Sequence, residues 1–320
     1  MRVLVIGGAG YIGSHVALDL LEKGHEVCVY DNLSTGQRVN LFPQAKFIEG
    51  DILDQKALAD AMTGMDAVVH LAAKKAVGES MEKPEIYANN NITGTLNVLN
   101  AMAQKGVRKI VFSSSAAVYG MPDVSRLDET VPVNPINFYG FTKLEIERFL
   151  AWYDQLKGIR FVALRYFNAV GYDPQGRIKG LEQNPQNLLP IVMEVAVGKR
   201  PELKIYGHDY PTPDGTCIRD YIHVSDLATA HSQALEYLEN GGESQILNLG
   251  TEQGTSVLTM VQETEKNIGR AIPHQFTARR PGDPAMLTAS AGKARNLLGW
   301  KPKHSDLKTI ITSTWAVYQK

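Results

Sequence analysis

Short apolar, β-branched runs recur along the chain, and between them apolar positions fall at helical spacing. Val3 to Ile6, Glu26 to Tyr30, Ala67 to Leu71, Lys109 to Ser113 and Arg160 to Arg165 read as strands. Ile12 to Lys23, Gln55 to Met62, Asn89 to Lys105 and Thr142 to Leu156 read as helices. Strand and helix in alternation predict parallel strands joined by right-handed crossovers, an α/β doubly wound sheet over residues 1–168. The texture changes after Asn168. Residues 169–221 are rich in Gly, Pro, Asn and Asp around one good helix near Leu188 to Val197, and a weaker mixed pattern follows. Residues 169–320 therefore read as a smaller mixed α/β part that binds substrate. No clean linker separates the two, and the chain is expected to return in part to the first.

Composition narrows the function classes. A chain of 320 residues suits one large or two closely joined domains. The net charge of -1 favours neither nucleic acid nor an anionic membrane surface. Cys28 and Cys217 are far apart, so a disulfide framework is not expected and a reducing cytoplasm is the simpler setting. No window approaches the roughly 20 apolar residues of a membrane helix. The run Met1 to Ile6 fits a buried strand better than a signal peptide. The eight histidines show no ligand spacing, and no metal is expected.

Gly7-Gly8-Ala9-Gly10-Tyr11-Ile12-Gly13 follows the first strand and opens a helix. Glycine lets the backbone approach a pyrophosphate, and the helix N-terminus offers free N–H groups and partial positive charge to it. In this context the sheet is Rossmann-like. Asp31 ends the second strand, where a carboxylate meets the ribose hydroxyls of a dinucleotide and repels a 2′-phosphate, so NAD is favoured over NADP. Asp51-Ile52, after the third strand, is placed to reach the adenine.

Tyr139 and Lys143 stand at i and i+4, on one face if a helix begins there, and Asn134-Pro135 make a helix start reasonable. A free tyrosine has a pKa of about 10, so phenolate chemistry at neutral pH needs a shift worth about 4 kcal/mol. A lysine cation near 4 Å supplies a comparable amount at an effective dielectric of about 20, and desolvation opposes it. Ser115 ends the Ser113-Ser114-Ser115 strand at the carboxyl edge, where it can hydrogen-bond the same substrate oxygen as Tyr139.

With these residues the chain resembles the extended short-chain dehydrogenase/reductase family of NAD-dependent epimerases and dehydratases, and within it the nucleotide-sugar 4-epimerases. The resemblance covers about residues 1–316. Besides the glycine turn and the Tyr139/Lys143 pair, it is carried by Asp31-Asn32-Leu33, Lys75 to Ser80, Ser113 to Gly120, Arg165 to Asn168, Asp209 to Thr212, Arg219 to Val224 and Arg279 to Asp283. The resemblance implies epimerisation at C4 of a UDP-hexose, UDP-galactose to UDP-glucose, through a transient 4-keto sugar. It implies that Gly7, Gly10, Tyr11, Ile12, Gly13, Asp31, Asn32, Leu33, Ser34, Thr35, Gly36, Asp51, Ile52, Leu71, Ala72, Ala73, Lys74, Lys75, Asn91, Tyr139, Lys143 and Phe167 hold NAD. Lys75, Ser115, Tyr139, Asn168, Asn187, Leu188, Tyr206, Arg219, Arg280 and Asp283 would hold the UDP-sugar. Tyr139 would be the acid–base residue, with Lys143 and Ser115 beside it. A homodimer is also implied, through helices near Asn89 to Lys105 and Thr142 to Leu156.

The same residues bear on three other activities. A 4,6-dehydratase needs an acid and base after the serine strand, where this chain has Ala116 and Ala117. A non-catalytic NAD-binding regulator need not keep Tyr139, Lys143 and Ser115 together. UDP-N-acetylglucosamine as substrate is left open by Leu287, intermediate in size at a position where a bulky aromatic would exclude the acetamido group.

Overall fold

The computed structural model describes residues 1–182, 185–280 and 282–319. Its core is a seven-stranded, all-parallel sheet. The strands are β1 (Arg2–Ile6), β2 (Glu26–Asp31), β3 (Lys46–Glu49), β4 (Ala67–His70), β5 (Lys109–Ser115), then, past the short β6 (Arg126–Leu127), β7 (Arg160–Tyr166). The seventh comes much later in the chain. After β8 (Asn168–Val170), β9 (Leu203–Tyr206) and β10 (Ile218–His223), β11 (Gln245–Leu249) lies parallel to β7 in register Leu247 to Leu164. The spatial order is β11-β7-β5-β4-β1-β2-β3. The strand order reverses at β1, so a crevice opens beyond the carboxyl ends of β1 and β4, the place where such sheets bind ligands.

The two faces of the sheet are covered by separate apolar layers. Val3, Val5, Val69, Val111, Val162 and Leu247 pack with the helices Tyr11–Glu22 and Val224–Glu239. Leu4, Ile6, Val68, Ile110, Phe112 and Ala163 pack on the other side with Gly94–Lys105 and Phe138–Lys157. Strands buried on both faces read as continuous apolar runs, which is why they stood out in the sequence. Two boundaries differ from the pattern. The helix expected from Asn89 begins as a π-turn, Ala88–Thr93. The helix expected from Thr142 begins at Phe138, because the Asn137 side chain accepts from the Gly140 amide at 2.8 Å and caps it there, downstream of Asn134-Pro135.

Beyond β7 the remaining strands are short. β10 pairs in parallel with β8 and β14 (Met286–Ala289) and antiparallel with β12 (Gly254–Ser256), and β14 pairs with β6. β13 (His274–Thr277) pairs with β9. The helices Leu188–Ala196, Val257–Ile268 and Leu307–Tyr318 close a second core over them.

Candidate active site

The carboxyl ends of β1, β2, β4, β5 and β7 open onto one cleft of about 470 Å³. At one end lies the glycine turn. Gly7 has φ +83°, and a Cβ added there would sit 2.6 Å from the Ala72 nitrogen. At Gly13 an added Cβ would overlap the Gly7 carbonyl and come within 2.8 Å of Gly8 Cα. Gly10 caps the helix Tyr11–Glu22 with no side-chain bond, so its first amides and dipole are presented to the cleft. Asp31 Oδ2 accepts from the Ala9 amide at 3.0 Å and Oδ1 from the Leu33 amide at 2.8 Å. Burial pushes the Asp31 carboxyl up, and those two bonds work against it. Asn32 donates to Asp51 Oδ2 at 2.9 Å. A bare backbone floor at a helix N-terminus beside a strand-end carboxylate fits the pyrophosphate and ribose of a dinucleotide.

The other end carries the candidate chemistry. Lys143 Nζ donates to the Ser113 carbonyl at 2.6 Å, lies 4.7 Å from the Phe112 ring centroid and 5.8 Å from that of Tyr139. Burial pulls Lys143 down to about 7, with the Glu147 carboxylate opposing. The Tyr139 phenol is hydrogen-bonded to Ser115, which lowers it, while burial raises it more. Within the protein's own field the phenol stands above its ordinary value, and the expected lowering draws on the positive charge of a bound oxidised nicotinamide as well as on Lys143. Lys143 is itself desolvated and donates one of its hydrogen bonds to the Ser113 carbonyl.

Most of the residues anticipated from the sequence line this cleft: Gly7, Gly10 to Gly13, Asp31, Asn32, Ser34, Thr35, Ile52, Leu71 to Lys75, Ser115, Tyr139, Lys143, Phe167, Asn168, Asn187 and Arg219. Leu33, Gly36, Asp51, Asn91, Leu188, Tyr206, Arg280 and Asp283 are not among its lining residues. Asn91 is fully buried. Its Oδ1 accepts from the Lys74 amide at 2.8 Å, and its Nδ2 donates to the Lys74 carbonyl at 3.0 Å and to Thr142 Oγ1 at 3.1 Å. Arg219 is paired with Asp283, and the Arg280 guanidinium lies 3.9 Å from the Tyr206 ring centroid. Pro281, between them in the chain, lies outside the described residues. Lys75 bridges to Glu182 at 2.5 Å. Leu287, Ala116 and Ala117 line the cleft.

Two roles escaped the sequence reading, that of Ser80 within the Lys75 to Ser80 stretch and that of Glu147. Ser80 Oγ accepts from the Tyr139 amide at 3.1 Å, a contact between segments 59 residues apart that no local pattern announces. Glu147 lies one further turn along the face of Tyr139 and Lys143, and the i+8 spacing was a signal that could have found it.

Fold and site together define a dinucleotide-binding doubly wound protein with a Tyr–Lys–Ser constellation at the end of the cleft opposite the glycine turn. The chain belongs to the NAD dependent epimerase/dehydratase family, whose model matches residues 3–250. It is 48% identical to a UDP-glucose 4-epimerase of Streptococcus mutans, covering 99% of this chain and 96% of that protein. The crystal structure of UDP-glucose 4-epimerase from Brucella ovis in complex with NAD superimposes with a TM-score of 0.97 at 46% identity, covering 99% of this chain and 98% of that one. That of the Bifidobacterium longum UDP-glucose 4-epimerase in complex with NAD+ and UDP gives 0.93 at 40%, covering 100% and 98%.

Proposed function

We propose that this protein is an NAD-dependent 4-epimerase of UDP-hexoses, interconverting UDP-galactose and UDP-glucose through a transient 4-keto sugar. The observation that carries this is the meeting of Tyr139 and Ser115 beside Lys143 in one cleft with the glycine turn. Bound NAD supplies a hydride acceptor and donor that ends each turnover as it began. Tyr139 Oη takes the proton of the sugar 4-hydroxyl and later returns it. Ser115 Oγ holds the same sugar oxygen, and the Lys143 ammonium stabilises the phenolate as it forms. Asp31, the glycine turn and Lys74-Lys75 hold the dinucleotide. Arg219 and Arg280, always charged, hold the pyrophosphate of UDP, so the sugar can turn over while the nucleotide stays anchored. Residues 1–168, joined by the helix Val224–Glu239 and β11, act as the NAD-binding part, and the rest of 169–320 as the nucleotide-sugar part.

The protein works as a cytoplasmic homodimer. Its two cysteines are free thiols, compatible with a reducing compartment. On the helix Phe138–Lys157, Phe141, Trp152 and Leu156 are exposed, as a helix-pair interface would require. A second reading concerns substrate breadth. Leu287 in the cleft wall leaves more room than an aromatic ring, which favours acceptance of UDP-N-acetylhexosamines as well. Purified protein should interconvert UDP-galactose and UDP-glucose without added reductant. Comparison with UDP-N-acetylgalactosamine reads the breadth. A 4-keto-6-deoxy sugar product, or unchanged UDP-hexoses, would defeat the proposal.

A further inference from the structure

Below the reacting end of the cleft lies a buried ion pair that the proposed chemistry does not use directly. Glu147 Oε1 accepts from Ser114 Oγ at 2.5 Å and from Arg165 Nε at 2.9 Å, and Oε2 accepts from Arg165 Nη2 at 2.6 Å. The two side chains are 2% and 4% exposed. Arg165 Nη1 donates to Tyr119 Oη at 2.9 Å, and that hydroxyl donates to Asn248 Oδ1 at 2.8 Å. Ser114 and Arg165 are direct cross-strand partners of β5 and β7. One carboxylate thus fastens the helix of Tyr139 and Lys143 to the strand that ends in Ser115 and to the strand that leads to Phe167. Removing two charges from water is costly, and a well-packed apolar pair would serve stability as well. Retention of the charged pair here calls for a reason beyond stability.

We propose that Glu147, held in place by Arg165, is the positioning residue that keeps Lys143 charged and seated against the Ser113 carbonyl for the reaction proposed above, on which this inference rests. The groups facing Lys143 are few. Tyr139 and Glu147 share its helix, β5 presents the Ser113 carbonyl and the Phe112 ring, and β4 presents His70. His70 is buried and held neutral, its pKa driven down to about 3 by desolvation and by Lys143. Burial disfavours the Lys143 cation, and the Glu147 carboxylate is the charge that opposes burial. Arg165 approaches Glu147 from β7 and fixes where that charge sits.

The test compares holoenzyme, Glu147→Gln and the paired variant Glu147→Gln/Arg165→Met. The pair removes both charges and leaves no lone buried cation. Lysine labelled at Cε with carbon-13 reports the Lys143 titration directly, with the signal assigned by Lys143→Met. In Glu147→Gln the Lys143 titration should move down by about one pH unit. kcat should fall about tenfold with KM nearly unchanged, and the alkaline limb of the kcat profile should move down in step. The paired variant should regain thermal stability yet keep the lowered kcat and shifted limb. If Glu147→Gln does not fold, the paired variant decides alone. An unmoved Lys143 titration, or wild-type kcat and pH limbs in the folded paired variant, overturns the inference. Failure of the epimerase reading would show separately, as wild-type protein that leaves UDP-hexoses unchanged while Lys143 still responds to Glu147.

Discussion

The buried hydroxyl of Ser80 accepts a hydrogen bond from the backbone amide of Tyr139 at 3.1 Å, so the first turn of the helix Phe138–Lys157 is anchored by the short helix Val77–Glu82. First-turn amides have no partner within their own helix and need one from outside. Ser80→Ala should cost about 1 kcal/mol of stability, the worth of such a bond. Because Tyr139 is then less firmly aimed, kcat should fall several-fold while dinucleotide content holds. Denaturant unfolding and steady-state kinetics check both, and unchanged kcat would mean that the anchor is structural only.

Tyr139→Phe keeps the ring and loses the hydroxyl that Ser115 bonds. Epimerisation should fall by about 10²- to 10⁴-fold, the usual worth of a positioned acid–base group. Bound dinucleotide should be retained, as released nucleotide measured after denaturation will show. Near-normal turnover would assign the proton to another group.

Gly13→Ala places a methyl group against the Gly7 carbonyl and Gly8 Cα. The glycine turn must then open. The variant should purify with little dinucleotide and unfold at a lower temperature, and added NAD should raise its melting point less than that of the wild type. Full occupancy in the variant would show that the turn does not form the floor of the cofactor site.

Arg219 lines the cleft and is held by Asp283. Arg219→Lys keeps the charge and loses the planar fork. KM for a UDP-hexose should rise about tenfold, with kcat little changed, as expected for a group that anchors the part of the substrate that does not react. A change in kcat alone would move Arg219 from anchoring to the reacting end.

Four histidines are buried and held neutral by desolvation: His15 and His231 at about 4, His70 and His223 at about 3. Unfolded, each titrates near 6.5. Between those values the unfolded chain binds protons that the folded chain refuses, so stability falls as pH drops below about 6.5 and continues to fall toward 4. Each histidine contributes up to about 1.4 kcal/mol per pH unit in that window. Denaturant midpoints measured from pH 7.5 to 4.5 should decline through it. His231 accepts or donates only within the core, to Tyr166 Oη at 2.8 Å and the Leu227 carbonyl at 2.8 Å. A flat profile across the window would contradict burial of these four rings.

The doubly wound sheet was legible in the residue pattern alone, since strands buried on both faces are continuous apolar runs and the helices between them keep their period. So were the glycine turn and the Tyr139–Lys143 spacing, because both are local: one depends on backbone freedom over seven residues, the other on one helical turn. Packing of distant segments set what no local pattern encodes. A return of the chain was expected, but not its place, β11 at the edge of the first sheet beside β7. Ser80 reaches the Tyr139 amide, Asn91 turns its amide to Lys74 and Thr142, and Arg165 meets Glu147 across the β5–β7 register. The protonation of Tyr139 and Lys143 was likewise beyond the sequence. Spacing sets which charges are neighbours, whereas burial, a property of the whole packed chain, decides how much each charge costs.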